Sequence, residues 1–249
     1  MKIVKSLKNS FQSFLAQNDI LLHKKTPLNS EDKIIEYLLK TYGIDLVLDI
    51  GANIGQFALE LLTAHFKGDI ISFEPLPDVF QQLHSNAVRY PNWRAENLAL
   101  GAETGEIRIN VAGNTESSSI LPMLSAHSDL APESRYIDAI TVPITTLDNY
   151  LQHQNLAKRN TFLKIDVQGY EESVLNGAVH TLEHVKILQL ELSFIPLYDS
   201  SLLYYKMMEK IEAMGFSFYS LFPAFSDYKT GQIFQIDAIF VRNQEVKAH

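Results

Sequence analysis

The sequence predicts an α/β fold on a mostly parallel sheet, and three observations carry that expectation. Short apolar runs of strand type alternate with helical patterns along most of the chain. The first two runs, 46–50 (LVLDI) and 70–74 (IISFE), end on Gly51 and Pro75, where the chain must turn sharply. The last two runs, 216–222 (FSFYSLF) and 235–242 (QIDAIFVR), are joined by the loop PAFSDYKTG with no helix between them. A parallel sheet that finishes in an antiparallel strand pair is narrower than a general dinucleotide-type fold.

Taken in order, Val4, Leu7, Phe11 and Phe14 recur at steps of three and four, which predicts an amphipathic helix. Residues 1–40 are read as a helical extension, whose apolar face packs on its own domain or on a sister subunit; a homodimer is the expectation. With Lys2, Lys5 and Lys8 beside it, a membrane surface or a partner is the alternative. From Gly55 a helix follows, with Phe57, Ala58, Leu61 and Leu62 on one face, and after the second strand another carries Phe80, Leu83 and Ala87. Residues 96–100 (ENLAL) read as a third strand. Residues 105–145 break the alternation with two strands around a Ser-rich loop, an insertion into a domain spanning 41–249. Thr145 with Asp148 reads as a helix-start capping box. Alternation resumes with strand 162–166 (FLKID), one helix through Val174, Leu175, Ala178 and Leu182, strand 186–192 (KILQLEL), and a helix from about Leu202 to Met214.

Composition narrows the function. The chain has 249 residues, 46% hydrophobic and 20% charged, in the globular range. Its net charge of −8 argues against a nucleic-acid partner, whose phosphates need Lys and Arg. There is no Cys, so disulfides, Cys-ligated zinc, iron–sulfur clusters and thiol catalysis are excluded. No run approaches the roughly 18 apolar residues of a membrane span, and the N-terminus lacks the apolar core of a signal peptide. A cytoplasmic location is expected.

Chemistry is expected at the carboxyl ends of the strands. In the first turn, Asp49-Ile50-Gly51-Ala52-Asn53-Ile54-Gly55, the glycines let backbone approach a ligand and Asn53 tolerates positive φ. No frame of G-x-G-x-x-G places three glycines there, and Asp49 brings a negative charge to what would be a pyrophosphate site. An NAD-type oxidoreductase is therefore the weaker reading. A carboxylate at position 49 suits an ammonium group, while the turn's N–H groups and the helix N-terminus suit a carboxylate. Glu74, at the end of the second strand, suits a ribose diol. An amino-acid-bearing nucleoside satisfies all three, which favours S-adenosylmethionine.

Four segments then carry a family resemblance: VLDIGANIGQFALEL, ISFEPLPDVFQQLHSNA, ITTLDNYL and LKIDVQGYEESVLNGA, in this order and spacing, resemble the FkbM-type methyltransferases over about residues 40–242. The resemblance implies a class I methyltransferase fold, Rossmann-like, with a seven-stranded sheet and an antiparallel last strand. It implies S-adenosylmethionine as donor, S-adenosylhomocysteine as product, and O-methylation of a hydroxylated acceptor, often a sugar or natural product. It also places Asn97 and Ala99 where the fold lines the adenine. One departure is Gln168, where many members carry Glu. A non-catalytic donor-binding or assembly subunit is the rival reading.

Transfer to an alcohol requires loss of a proton, hence a base or a metal. Asp166 is the leading candidate, both as base and as donor contact. Lys164 and Asp166 share one face of their strand by period two, and Gln189 and Glu191 share a face of the next. If the strands are adjacent and in register, a Lys and two carboxylates converge. The alternatives are a Lys164–Glu191 ion pair that merely settles the strand ends, and a divalent ion on Asp166 and Glu191, which is not favoured for want of a third ligand. Within the insertion, His127 is a candidate catalytic residue. Ser118, in the run Ser117–Ser119, is a candidate donor contact. Phe225 and Tyr228 in the C-terminal loop are candidates to stack on a sugar.

Overall fold

Among the described residues, seven strands form one sheet. The computed structural model describes residues 25, 26 and 29–243. At the centre, β1 (Leu46–Ile50) pairs in parallel with β2 (Asp69–Phe73) on one side and β7 (Thr161–Ile165) on the other. Outside β2 lies β3 (Trp93–Glu96), and outside β7 lies β8 (Val185–Ser193), both parallel. The last strands, β9 (Phe216–Pro223) and β10 (Gln235–Arg242), are antiparallel, with β10 between β8 and β9. Strand order reverses at β1, so the crevice at its carboxyl end is the expected ligand site.

The chain divides into two units between Ile35 and Glu36. Helix α1 (Glu31–Thr41) starts in the first, with Glu31 and Asp32 in its first turn, where acidic groups meet the positive end of the helix dipole. The segment bearing Val4, Leu7, Phe11 and Phe14, and the dimer expected through it, lie outside the described residues. Among the described residues no helix is long and apolar enough to cross a membrane.

In the larger unit the sheet's two faces differ. On one, Leu48, Ile50, Leu163, Ile165, Leu188 and Leu190 form an apolar core with Val174 and Leu175 of α6 (Glu171–Asn176) and with Met207 and Ile211 of α8 (Tyr204–Ala213). Each such side chain removed from water contributes roughly 1.5–3 kcal/mol. The other face carries a polar row in register: Ser72 on β2, Asp49 on β1, Lys164 on β7 and Gln189 on β8. Helix α2 (Gln56–Thr63) sets Phe57 edge-on to Phe162 and beneath the Lys164 ammonium on that face.

The insertion is a hairpin of β5 (Gly105–Ala112) and β6 (Tyr136–Thr145), joined by β4 (Ala99–Leu100) into a separate three-stranded sheet. Between the hairpin strands runs α4 (Ser125–Leu130). Leu124 and Pro122 hydrogen-bond the backbone of Leu197 and Asp199, anchoring the insertion to the segment after β8.

Three expectations change. The run 96–100 is not one strand: β3 ends at Glu96 and β4 begins at Ala99 in the other sheet. The Asn97 amide breaks the run by donating to the carbonyls of Glu74 and Pro75, at 2.8 and 3.0 Å. The helix through 174–182 is two, α6 and α7 (Val179–Leu182). A Cβ on Gly177 would sit 1.9 Å from the Gly101 carbonyl oxygen, and that contact falls at the break. Asp148 is no partner of Thr145 in a capping box. Thr146 caps α5 (Leu147–Leu151), while Asp148 accepts from the N–H groups of His180 and Thr181 and so starts α7.

Candidate active site

The first turn is shaped by packing. Gly51, Asn53 and Gly55 have φ of 80°, 49° and 92°. A Cβ on Gly51 would lie 1.8 Å from the Asp166 carbonyl oxygen, and one on Gly55 would lie 2.6 Å from the Trp93 ring. Both glycines are thus demanded by the protein itself, bringing the turn against the end of β7 and against α3 (Pro77–Ala87) and β3 through Leu83 and Trp93.

Asp49 is wholly buried, with Oδ2 accepting from the Ser72 hydroxyl at 3.1 Å and Oδ1 without a hydrogen-bond partner. Trp93 Nε1 donates to the same Ser72 oxygen at 3.0 Å, so the hydroxyl proton is aimed at Asp49. Burial pushes the Asp49 carboxyl up, against the opposing effects of Lys164 and Ser72. An orphaned buried carboxylate oxygen is costly and fits a cationic or hydrogen-bond-donating ligand group.

Glu74 accepts from the backbone N–H of Asn53 at 3.0 Å through Oε2 and from that of Leu76 at 2.9 Å through Oε1. It therefore ties the first turn to the second. A carboxylate offers about four lone-pair sites, so each oxygen retains capacity for a ribose hydroxyl. Burial raises Glu74 to about 7, the two backbone donors notwithstanding. Asn97 braces this turn from below. Ala99 is buried and packs with Leu76 and Val79 in the core of the second sheet.

The convergence expected at the ends of β7 and β8 is present, with a different wiring. Lys164 Nζ donates to Asp166 Oδ2 at 3.0 Å, so its ion-pair partner is Asp166 and not Glu191. Gln168 joins the carboxylates: its Nε2 donates to Asp166 Oδ1 at 3.0 Å and to Glu191 Oε2 at 3.2 Å. Gln235 Nε2 also donates to Glu191 Oε2, at 2.5 Å. Asp237 on β10 stands opposite Glu191 in register. Burial would raise Asp166, yet the Lys164 charge and the two hydrogen bonds hold it below the usual carboxylate range. Burial would lower Lys164, and Asp166 and Asp49 hold it above its usual value. Glu191 lies well above the usual range through burial and the charges of Asp166 and Asp237.

Several of these partners have no motif of their own in sequence. Tyr198, in the loop after β8, donates its hydroxyl to Gln168 Oε1 at 2.8 Å. Glu171 accepts from the N–H groups of Val167 and Gly169, holding the turn in which Gln168 takes φ 54°. Burial raises Glu171 to about 7. A Cβ on Gly169 would lie 2.9 Å from Tyr198, a steric signal that only the fold reveals.

From the insertion it is Ser119, not Ser118, that reaches the site, donating its hydroxyl to the Gln168 carbonyl at 2.7 Å. Ser118 holds its own loop by accepting from Ala112 N–H at 3.0 Å. His127 is buried, edge-on to Tyr198 at 5.1 Å and tilted against Phe225 at 5.5 Å, and its Nδ1 has no hydrogen-bond partner. Burial lowers its pKa. Phe225 is packed between His127 and Phe234, whereas Tyr228 is fully exposed. Among the described residues no group of three or more His, Cys, Asp or Glu is arranged to hold a metal ion. The Gln168 amide nitrogen occupies the bridging position between Asp166 and Glu191 that a shared cation would need.

Comparison with known proteins supplies the family. The chain is 29% identical over 167 residues to the hexuronic acid methyltransferase AglP of Haloferax volcanii, covering 66% of this chain and 63% of that protein. It is 24% identical over 163 residues to the 2-O-methyltransferase NoeI of Sinorhizobium fredii, covering 63% of this chain and 67% of that protein. Among solved structures, methyltransferase FkbM from Methylobacillus flagellatus KT aligns with a TM-score of 0.49 at 15% identity, covering 78% of this chain and 43% of that one. Residues 49–218, more than half of the chain, match the model of the methyltransferase FkbM domain, and they include the glycine turn, Glu74 and the Lys164–Asp166–Gln168–Glu191 network, so the chain belongs to the FkbM methyltransferase family.

Proposed function

We propose that this chain is an S-adenosylmethionine-dependent O-methyltransferase acting on a hydroxyl of a sugar, glycan or related natural product. The observation that carries the reading is the junction of two features. A turn with a buried, half-satisfied carboxylate (Asp49) lies against the end of β7, where Lys164 pairs with Asp166 and an amide bridges Asp166 to Glu191. The names of the Haloferax and Sinorhizobium relatives support saccharide-like acceptors and oxygen as the methylated atom.

Asp49 would hold the ammonium of the donor and Glu74, braced by Asn97, its ribose, whereas the N–H groups of residues 51–55, expected to meet the donor carboxylate, already donate within the protein. S-adenosylmethionine, when bound, supplies a methyl group on a sulfonium that leaves as a neutral thioether. The protein's part is to align the acceptor oxygen, exclude water and take the acceptor's proton. Glu191 suits the last role better than Asp166. Asp166 is committed to Lys164 and held as a weak base, whereas burial and the charges of Asp166 and Asp237 raise the affinity of Glu191 for a proton. His127, Tyr198 and Phe225 would wall the acceptor side under the insertion.

Calorimetry with S-adenosylhomocysteine and with NADH tests the donor: binding of the first and none of the second is expected, and the reverse refutes the reading. Tritiated methyl transfer to a panel of neutral saccharides, uronic acids and hydroxylated lipids tests the acceptor. Binding of S-adenosylhomocysteine without transfer to any of them would point instead to a donor-binding subunit.

A further inference from the structure

The Gln168 side chain occupies a position that no carboxylate could fill in the same way. It touches both Asp166 and Glu191 through a single donor nitrogen. Its other end is also assigned, since Tyr198, itself a hydrogen-bond donor there, sits 2.8 Å from Oε1. The backbone is held as well: Ser119 donates to the Gln168 carbonyl, and Glu171 gathers the N–H groups on either side. A left-handed φ of 54° at a non-glycine residue costs free energy, and here three side chains from three parts of the chain maintain it.

We propose that Gln168 is a positioning residue whose amide N–H holds the two carboxylates together without adding charge, Asp166 paired with Lys164 and Glu191 left to take the acceptor's proton. The physical reason is the number and sign of the groups around it. Asp166 and Glu191 face it directly, Asp237 faces Glu191 from β10, and Glu171 and Asp49 lie behind the same turns, with Lys164 the cation among them. Tyr198 faces its far end, and His127 packs on Tyr198. An amide N–H shared between two carboxylates holds them close without adding charge. A carboxyl group at the same place would have to bring its own proton, because a carboxylate has no donor. The role in the reaction rests on the proposed function, with Glu191 as the proton-taking group.

Gln168→Glu tests this by proton linkage. Ionised, the new side chain would face two carboxylates, so its folded-state pKa must exceed its unfolded value. Its cost is then absent at low pH and appears as pH rises. The melting temperature of Q168E is expected to fall below that of the parent by about 5–10 °C more at pH 8 than at pH 5. Gln168→Met, which removes the amide without adding charge, should show a smaller gap of the same pH direction, because Asp166 and Glu191 lose a hydrogen bond to their charged forms. Should Q168E fail to fold at either pH, Tyr198→Phe carries the test. Without its hydroxyl the amide can turn its oxygen toward the carboxylates, giving a smaller gap of the same sign and pH direction. A Q168E gap equal at the two pH values, or an equal Y198F gap where that variant is used, overturns the inference. These melts read no turnover. Absence of methyl transfer to the acceptor panel would refute the proposed function and leave the bridging role of Gln168 standing.

Discussion

Lys164 Nζ lies 3.0 Å from Asp166 Oδ2, two residues along the same strand end, with side-chain exposures of 12% and 33%. Pairing at this depth is worth more than a surface ion pair, at about 0–1 kcal/mol, and less than a fully buried one, whose disruption costs about 3–5 kcal/mol. Lys164→Met is therefore expected to lower unfolding free energy by about 2 kcal/mol. The midpoint of urea unfolding should drop with an unchanged slope. A midpoint equal to that of the parent would mean that Asp166 finds another partner.

Asp49→Asn should separate stability from binding. The parent buries a carboxylate with one oxygen orphaned, so the amide removes a desolvation cost and stability should stay level or rise by about 1 kcal/mol. Binding of S-adenosylhomocysteine should weaken at least about tenfold, since about 1.4 kcal/mol of charge-assisted contact is lost. Calorimetry beside thermal melting reads both. Loss of stability with unaltered affinity would place Asp49 in the scaffold alone.

Glu171 makes a pH prediction. Its folded-state pKa of about 7 lies above its ordinary value of 4.5, so the folded state binds the proton more tightly. The resulting stabilisation is complete below about pH 4.5 and is lost as pH rises through 7. Glu171→Gln keeps an oxygen to accept from Val167 and Gly169 and removes the titration. The fall in stability between pH 4.5 and 7.5 should shrink by about 1–3 kcal/mol. Denaturant titrations at those two pH values would give parent and variant the same fall in unfolding free energy if Glu171 titrates normally.

Glycine substitutions should divide sharply. At Gly51 the new Cβ would meet the Asp166 carbonyl oxygen at 1.8 Å, backbone against backbone, and Gly51→Ala is expected to cost more than about 4 kcal/mol or to prevent folding. Gly231 also has positive φ, at 75°, but nothing lies within 4 Å of its Cβ position. Gly231→Ala should cost only about 1–2 kcal/mol. Soluble yield and melting temperature distinguish the two, and similar losses at both would refute the steric account.

His127→Phe removes a buried ring nitrogen that has no partner while preserving the ring contacts with Tyr198 and Phe225. Stability is expected to hold within about 1 kcal/mol or improve. Methyl transfer to the responding acceptor should fall at least about tenfold if Nδ1 meets the acceptor hydroxyl. Unchanged turnover would leave His127 a packing residue.

Much of the architecture was legible because local rules and global packing agree at the sheet centre. The runs LVLDI, IISFE, FLKID and KILQLEL become β1, β2, β7 and β8 within a residue at most ends, since each is apolar and bounded by turn residues. Period-two alternation put Lys164 beside Asp166 and Glu191 on the face of Gln189, and parallel register did the rest. Where the expectation failed, a distant group had intervened. Asn97 ends β3 through carbonyls more than 20 positions away, and Asp148 starts a helix 32 residues downstream. No local pattern encodes either contact.

The sequence by itself determined the order of strands and helices, the absence of thiol chemistry, and the residue types gathered at the strand ends. Only the tertiary structure decided who pairs with whom. It gave Lys164 to Asp166 rather than to Glu191, brought Ser119 rather than Ser118 to the site, and set Tyr198 against the Gln168 amide. Spacing along a strand settles which face a side chain shares. Hydrogen-bond direction between side chains from β7, β8, the hairpin insertion and the loop after β8 depends on loop paths and close backbone approaches. Those are fixed when the chain packs.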